Sequence, residues 1–437
     1  VVRKSKDRSE DIVVDAHADT GDDTAYLPQV VLSAGTKNFH LLMSAEEVHR
    51  RGCLKALICG PYPTVTIKRW IGGLPFLARL LRREVRVPSE KVFPVWAAEI
   101  IQALAFLIRR LRKNPTHSTV ADLCTLRYYQ TSAVRVLRRL NVQSGIYHYR
   151  AAFGGSSVEV AKSKGLVTIC DHSLADPHLL PSLVRGDAEP TFTDRSELDT
   201  VSRAMCEDIE AADAILVNSD FVKETLVGCG CDPCKIHVNY LGVDDAFVSQ
   251  IPAPSLVRVS DQGALGILFA GHFSYRKGAD ILVGALQRLE PSSWSLTIAG
   301  AIDPRLADEL GEFMRARNVH LEGVASRNRL AQLMVDADVF VLPSRAEGSA
   351  RVVFEAMACG CPIITTRESG SIVEDLVHGR LVRRDSVSEL TNALGEVMNE
   401  RPRFRAMGRV NRDLVLGQYR QAQYGERLVN LYRRLLS

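Results

Sequence analysis

Short apolar, β-branched runs alternate along the chain with stretches whose apolar positions recur every three or four residues. In the first half Gln29–Ala34, Ala56–Cys59, Ile146–Tyr149 and Leu166–Cys170 read as strands, with helices from about Phe39 to Arg51 and from Ser157 to Lys164 between them. A helix through Glu207 and Glu210, then the apolar runs within 212–219 and 235–244, carry the rhythm on. In the second half Gly266–Gly271 and runs near 295–299, 319–321, 338–342 and 362–366 are strands, and Tyr419–Leu436 is a last helix. Strands alternating with helices predict an α/β protein with parallel sheets. The proline-rich Ile251-Pro252-Ala253-Pro254-Ser255 divides it into two Rossmann-like domains facing a cleft. The expected boundaries are a disordered tail over 1–25, a first domain over 26–250, a second over 256–415 and a terminal helix over 416–437.

The most informative stretch is 339–362. The run Val339-Phe340-Val341-Leu342 leads into a loop, Pro343 to Gly348, that carries Glu347; helical spacing follows and ends at Gly360 and Pro362. A loop at the carboxyl end of a strand is where open α/β sheets bind ligands, and a helix start offers free amides to an anion. If the whole interval from Glu347 to Glu355 is helical, the two carboxylates stand about 12 Å apart along its axis. That is too far for the usual glycosidase pair and suited to gripping both ends of a nucleoside diphosphate sugar.

Glu347 and Glu355, eight residues apart within Glu-Gly-Ser-Ala-Arg-Val-Val-Phe-Glu-Ala-Met-Ala-Cys-Gly-Cys-Pro, resemble the E-x7-E segment of retaining glycosyltransferases of the GT-B fold, family 4 (group 1). The resemblance implies that Glu347 lies near the transferred sugar, that Glu355 binds the nucleotide ribose, and that the backbone of Gly348, Ser349 and Ala350 faces the donor. The commoner Gly-Phe-Gly after the first glutamate is Gly348-Ser349-Ala350 here. His272-Phe273-Ser274-Tyr275-Arg276-Lys277-Gly278, after Gly271, resembles the family's phosphate loop, in which an arginine and a lysine meet the diphosphate. Lys277 matches; the usual arginine after the first glycine is His272, so Arg276 is expected to supply that charge. Two cations at a helix start oppose the helix dipole unless an anion joins them. The resemblance also makes His172 a candidate to face the donor sugar and Gly35, where relatives carry a Gly-Gly loop, a candidate donor contact. It further implies that the last helix crosses back to the first domain. It covers roughly residues 26–437 and is weakest over 60–140.

Composition narrows the picture. The 437 residues are 46% apolar and 24% charged, enough for two cored domains, and a net charge of +4 does not argue for nucleic acid. Local charge says more. Residues 68–113 interleave Lys68, Arg69, Arg79, Arg82, Arg83, Arg86, Arg109, Arg110, Arg112 and Lys113 with Trp70, Phe76, Phe93, Trp96 and Phe106. Such a stretch either lies on an anionic membrane surface or forms packed helices with arginine caps. The run Val92–Ile108, broken by Pro94, Glu99 and Gln102, falls short of a transmembrane span. Ten cysteines scattered through apolar runs, and a first 25 residues without a signal-peptide pattern, favour a reducing, cytoplasmic setting, with peripheral membrane contact through 68–113. Cys229, Cys231, Cys234 and His237 have a spacing that holds zinc in other proteins, but they also sit at an expected helix-to-strand turn. Asp336-Ala337-Asp338, a formal D-x-D, borders a strand and reads as structural.

The expected function is therefore a retaining, metal-independent glycosyltransferase, with no cofactor beyond its nucleotide-sugar donor and a glycan, lipid or small molecule as acceptor. Glu347, Lys277, Arg276 and His172 are the candidate catalytic residues; Glu355, Gly348, Ser349, Ala350, Gly271, His272 and Gly35 are the candidate donor contacts. A GT-B nucleotide-sugar epimerase and a non-catalytic glycan-binding protein are the alternatives. A dinucleotide oxidoreductase is disfavoured because no G-x-G-x-x-G opens either half.

Overall fold

The computed structural model describes residues 27–36, 40–62, 86–101, 116–187, 189–252 and 263–437. The tail 1–25, most of 68–113 and the Ala253-Pro254-Ser255 part of the linker lie outside them. Two parallel sheets organise the chain. The first contains β1 (Val30–Ser33), β2 (Leu54–Cys59), β3 (Val92–Pro94), β4 (Gly145–Arg150), β5 (Leu166–His172), β6 (Ala214–Val217) and β7 (Ile236–Val238), in the order β3-β2-β1-β4-β5-β6-β7. The second contains β8 (Leu265–Ala270), β9 (Trp294–Ala299), β10 (Val319–Gly323), β11 (Val339–Leu342), β12 (Ile363–Thr365) and β13 (Gly379–Leu381), in the order β10-β9-β8-β11-β12-β13. Strands buried on both faces explain the continuous Val/Ile/Leu runs: β1, β6, β11 and β12 are buried at every residue.

Each sheet runs outward from one strand, returns, and resumes on that strand's other side. The reversals lie between β1 and β4 and between β8 and β11. Loops leaving the carboxyl ends of two such neighbours diverge and leave a crevice, the usual ligand site of open α/β sheets. In the second domain those loops are the two singled out in the sequence, 271–278 and 343–350.

The terminal helix Gln421–Leu436 belongs to the first domain's core. Its buried Tyr424, Leu428, Leu431 and Tyr432 recur at helical spacing and pack with Val30, Leu32, Leu41 and Ile169. At about 1.5–3 kcal/mol for each large apolar side chain buried, this contact strongly favours the docked helix. The chain turns into it at a short bridge, where Val243 N donates to Tyr419 O at 2.8 Å and Gln421 N to Val243 O at 3.0 Å. Gly242 permits this closeness, since a Cβ there would lie 2.1 Å from Tyr419 O.

Two expectations need correction. Val92–Pro94, within the stretch read as either membrane-surface or packed helices, is an edge strand paired with Leu57–Cys59; Pro94, which lacks an amide donor, is tolerated as its last residue. Glu347 lies in the loop, as expected, but the helix of the E-x7-E segment starts only at Arg351, so the 12 Å helical separation does not apply. The loop is held out of the helix because Glu347 N donates to Glu368 O at 2.8 Å and Ala350 N to Ser369 O at 3.0 Å. At the cysteine cluster the expected helix-to-strand turn is found: the helix Asp220–Gly228, a turn, and β7 follow one another, and Cys234 is exposed. No group of three His, Cys, Asp or Glu suited to a metal occurs among the described residues.

Candidate active site

The loops at the second switch point are joined before any ligand is considered. Gly278 adopts φ +68°, and a Cβ there would lie 2.0 Å from Pro343 O, so only glycine lets the 275–278 turn settle against the loop after β11. Arg345 completes the joint. It is 6% exposed; Nη1 and Nη2 reach the two Asp280 carboxylate oxygens at 2.7 Å each, Nε reaches Asp385 Oδ1 at 2.6 Å, and its amide donates to Arg276 O at 2.8 Å. This bidentate pairing fixes the turn relative to the loop. Sequence reasoning missed Arg345 because Asp280 and Asp385 are 65 and 40 residues away from it.

On this base Arg276 Nη1 and Lys277 Nζ each lie 2.8 Å from the same oxygen, Glu347 Oε1. Lys277 and Glu347 side chains are each 12% exposed and Arg276 is 38% exposed. Lys277 folds against Gly271, which has φ +123°. Three predicted catalytic residues therefore converge, with Gly271 beside them. His272 is exposed. Glu355 stands further along, with Arg351, Asp244 and Arg327 as its charged surroundings; burial raises its pKa to about 7 against the pull of Arg351.

Opposite them the first domain supplies Ser173, just past β5, and Asn218, just past β6. The domains touch here: a Cβ on Gly348 would lie 1.8 Å from Ser173 O, and Ser219 Oγ donates to Gly348 O. Further along, Asp244 of the first domain accepts from Arg327 Nη1 at 2.9 Å and Arg351 Nη2 at 3.0 Å of the second. A cavity of about 1070 Å³ opens between the domains, lined by His40, Asn218, Arg276, Glu347, Gly348 and Ser349 among others. Its first-domain wall also carries Met43, Leu174, Leu180 and Val184, so polar chemistry faces a partly aliphatic shelf. Asn218 Oδ1, Ser349 Oγ and Arg351 Nε are buried in this cavity's lining without a hydrogen-bond partner. Buried polar atoms of that kind are costly unless something pairs with them.

The remaining candidates stand apart. His172 is 1% exposed, with Nε2 3.4 Å from Ala175 O and Nδ1 unpartnered, and burial together with the Arg150 charge lowers its pKa to about 4. It is the last residue of β5, and alternation turns it to the sheet face opposite Asp171. Gly35 takes φ +76° against the Phe153 ring, and its amide donates to Tyr129 Oη at 3.0 Å. The Ala350 amide is held by Ser369 O, as above. Asp338 Oδ2 accepts from Gly266 N at 2.8 Å, tying β8 to β11.

Two parallel domains meeting across a cleft, with a terminal helix returned to the first, define the GT-B fold. Among solved structures, sucrose-phosphate synthase from Thermosynechococcus elongatus superposes with a TM-score of 0.64 at 16% identity, over 93% of this chain and 99% of that one. HepE from Anabaena, in complex with UDP and glucose, does so with a TM-score of 0.59 at 14% identity, over 92% and 99%. In sequence, residues 264–400 match the family model of glycosyl transferases group 1. A D-inositol 3-phosphate glycosyltransferase of Xylanimonas cellulosilytica is 33% identical over 210 residues, 44% of this chain and 49% of that protein. The chain thus spans about half the length of the curated relatives it matches. The second domain thus matches the group 1 glycosyltransferases.

Proposed function

We propose that the protein transfers a hexose from a nucleotide-sugar donor to a hydroxyl of an acceptor, with retention of anomeric configuration and without a metal ion. The observation that carries this reading is the pair of cations, Arg276 and Lys277, sharing Glu347 at the switch point beside the unpartnered Ser349 Oγ and Arg351 Nε. Departure of a nucleoside diphosphate builds negative charge, and cations fixed in place before the reaction stabilise it. Arg345 is what keeps them fixed. In this reading the diphosphate takes the place of the carboxylate at the two cations, Glu347 turns to the sugar, and Glu355 accepts from the ribose. His172 is not among the described residues that line the cleft, so this reading assigns its expected role to other first-domain groups. The match to the group 1 family model, together with the likeness to HepE in complex with UDP and glucose, favours a uridine nucleotide.

The test is a thermal-shift panel of UDP-glucose, UDP-galactose, UDP-N-acetylglucosamine, ADP-glucose and GDP-mannose. A donor at 100 times its dissociation constant stabilises by about 2.7 kcal/mol. Product analysis follows with D-inositol 3-phosphate, an alkyl glucoside or water as acceptor. A shift with none of the five would reject the reading; a free sugar changed at one stereocentre would identify an epimerase. EDTA is expected to leave turnover unchanged, and a loss restored by Mg²⁺ or Mn²⁺ would contradict the assignment of the diphosphate to side chains. For peripheral membrane contact the support is the sequence of 68–113 alone; among the described residues no helix is long and apolar enough to cross a membrane.

A further inference from the structure

His40 stands at the N-terminal end of the helix Leu41–Arg50, on the first-domain wall of the cleft that also holds Arg276 and Glu347. Its ring is aimed by a buried chain of partners. His40 Nε2 lies 2.8 Å from Asp171 Oδ2, and the other Asp171 oxygen accepts from Arg150 Nη1 at 2.8 Å. His148 approaches Asp171 Oδ2 with Nε2 at 3.5 Å, while its Nδ1 is 2.7 Å from Tyr432 Oη on the terminal helix. The side chains of Asp171 and His148 are 3% and 0% exposed. Burial pushes the Asp171 pKa up, but the His40 charge, hydrogen bonds from His148 and His40, and the Arg150 guanidinium hold it well below the usual carboxylate range.

An ionised carboxylate accepts and cannot donate, so in the neutral ring the proton sits on His40 Nε2 and the lone pair on Nδ1. No protein group takes Nδ1 among the described residues, and the side chain is 11% exposed. The only described partner of the ring is thus behind it, and its basic nitrogen is left over. A purely structural histidine would be expected to satisfy both nitrogens or to bury the second.

We propose that His40 is a catalytic residue that receives the acceptor's attacking hydroxyl at Nδ1 and takes its proton, with Asp171 as the positioning residue. The acceptor O–H bond breaks as its oxygen bonds to the anomeric carbon. The anomeric C–O bond to the diphosphate breaks in the same step, and its electron pair leaves with the diphosphate toward Arg276 and Lys277. The proton on His40 then passes to solvent through the cleft. The ligand class is an alcohol, and Asn218, with its unpartnered Oδ1 on the same wall, is placed to accept from a neighbouring hydroxyl. The inference rests on the sugar-transfer reading, and with retention the hydroxyl held at His40 attacks on the same face of the sugar from which the diphosphate leaves.

The test uses the full chain, UDP-glucose as donor, and an alkyl glucoside or water as acceptor. His40→Ala is expected to lower kcat by about 10²-fold or more, the usual range for a lost general base. The dissociation constant of UDP should stay within about twofold of wild type, and added imidazole should recover about tenfold of the lost rate. Asp171→Asn should also lower kcat, without imidazole rescue. Should His40→Ala fold poorly, His40→Gln keeps much of the bulk and an N–H donor for Asp171, and the same loss of kcat with unchanged UDP affinity is expected. The proposal is overturned if either His40 variant turns over within about threefold of wild type, if UDP binding falls with turnover, or if imidazole recovers nothing in His40→Ala. Failure of the wild type with every nucleotide sugar would remove the transfer reading itself, a result the variants cannot produce.

Discussion

In the proposed transfer Lys277 is expected to carry more of the chemistry than its neighbour: it is 12% exposed against 38% for Arg276, so its charge acts in a drier place. A lysine against a departing diphosphate meets more charge in the transition state than in bound donor. Lys277→Ala is therefore expected to cut kcat by roughly 10²-fold or more, Lys277→Arg to recover part of it, and Arg276→Ala to cost less. Steady-state kinetics on the folded variants, checked by circular dichroism, decide this; near-normal turnover for Lys277→Ala would dissolve the phosphate-loop assignment. Glu355 gives a prediction about stability. With a folded pKa of about 7 against 4.5 unfolded, the native state holds a proton between those values that the unfolded chain has lost. Stability contributed by this group thus falls as pH rises from 4.5 to about 7, and the penalty is complete above. Glu355→Gln removes it, so the variant should gain about 1 kcal/mol or more over wild type at pH 8 and little at pH 4. Urea melts at the two pH values check the sign. Donor affinity should fall in the same variant if Glu355 holds the ribose.

At the scale of elements, two loops that no local interaction would join are held as one body by Gly278 and Arg345. Gly278→Ala forces a left-handed residue to carry a Cβ into Pro343 O, and the resulting separation of loops should cost about 2 kcal/mol or more. Because the displaced turn holds both cations, turnover should drop further than the thermal midpoint suggests; a variant with wild-type kinetics would show that the joint does not matter. The basic aromatic stretch over 68–113 has its own test. Replacing Arg82, Arg83, Arg109 and Arg110 by Gln should weaken binding to anionic liposomes by about 1 kcal/mol per charge, while activity in solution survives. Unchanged binding would leave only the packed-helix reading of that stretch.

For the whole molecule, the proposed site depends on how two separately folded sheets are brought face to face. The contacts across the cleft are few and specific: Gly348 on Ser173 O, Ser219 on Gly348 O, and Asp244 between Arg327 and Arg351. Periodicity made the alternating elements legible because strands buried on both faces must be apolar throughout, and helices packed on them must be apolar on one stripe. The E-x7-E segment and Lys277-Gly278 were legible as well, since a loop at a strand's carboxyl end keeps its chemistry in contiguous residues. What the sequence by itself determined is therefore the fold class, the likeness to the group 1 family and the second domain's share of the candidate site. Only the tertiary structure decided the rest. The helix after Glu347 starts no earlier than Arg351 because carbonyls some twenty residues on, at Glu368 and Ser369, claim the loop's amides. One step of strand alternation buries His172 and turns Asp171 toward the helix that carries His40, a residue 131 positions away in the chain. Arg345 meets carboxylates from two other loops. Hydrophobic patterning specifies which face of an element is buried, but a polar residue's partner depends on which strands become neighbours, and that is fixed only when the sheet forms.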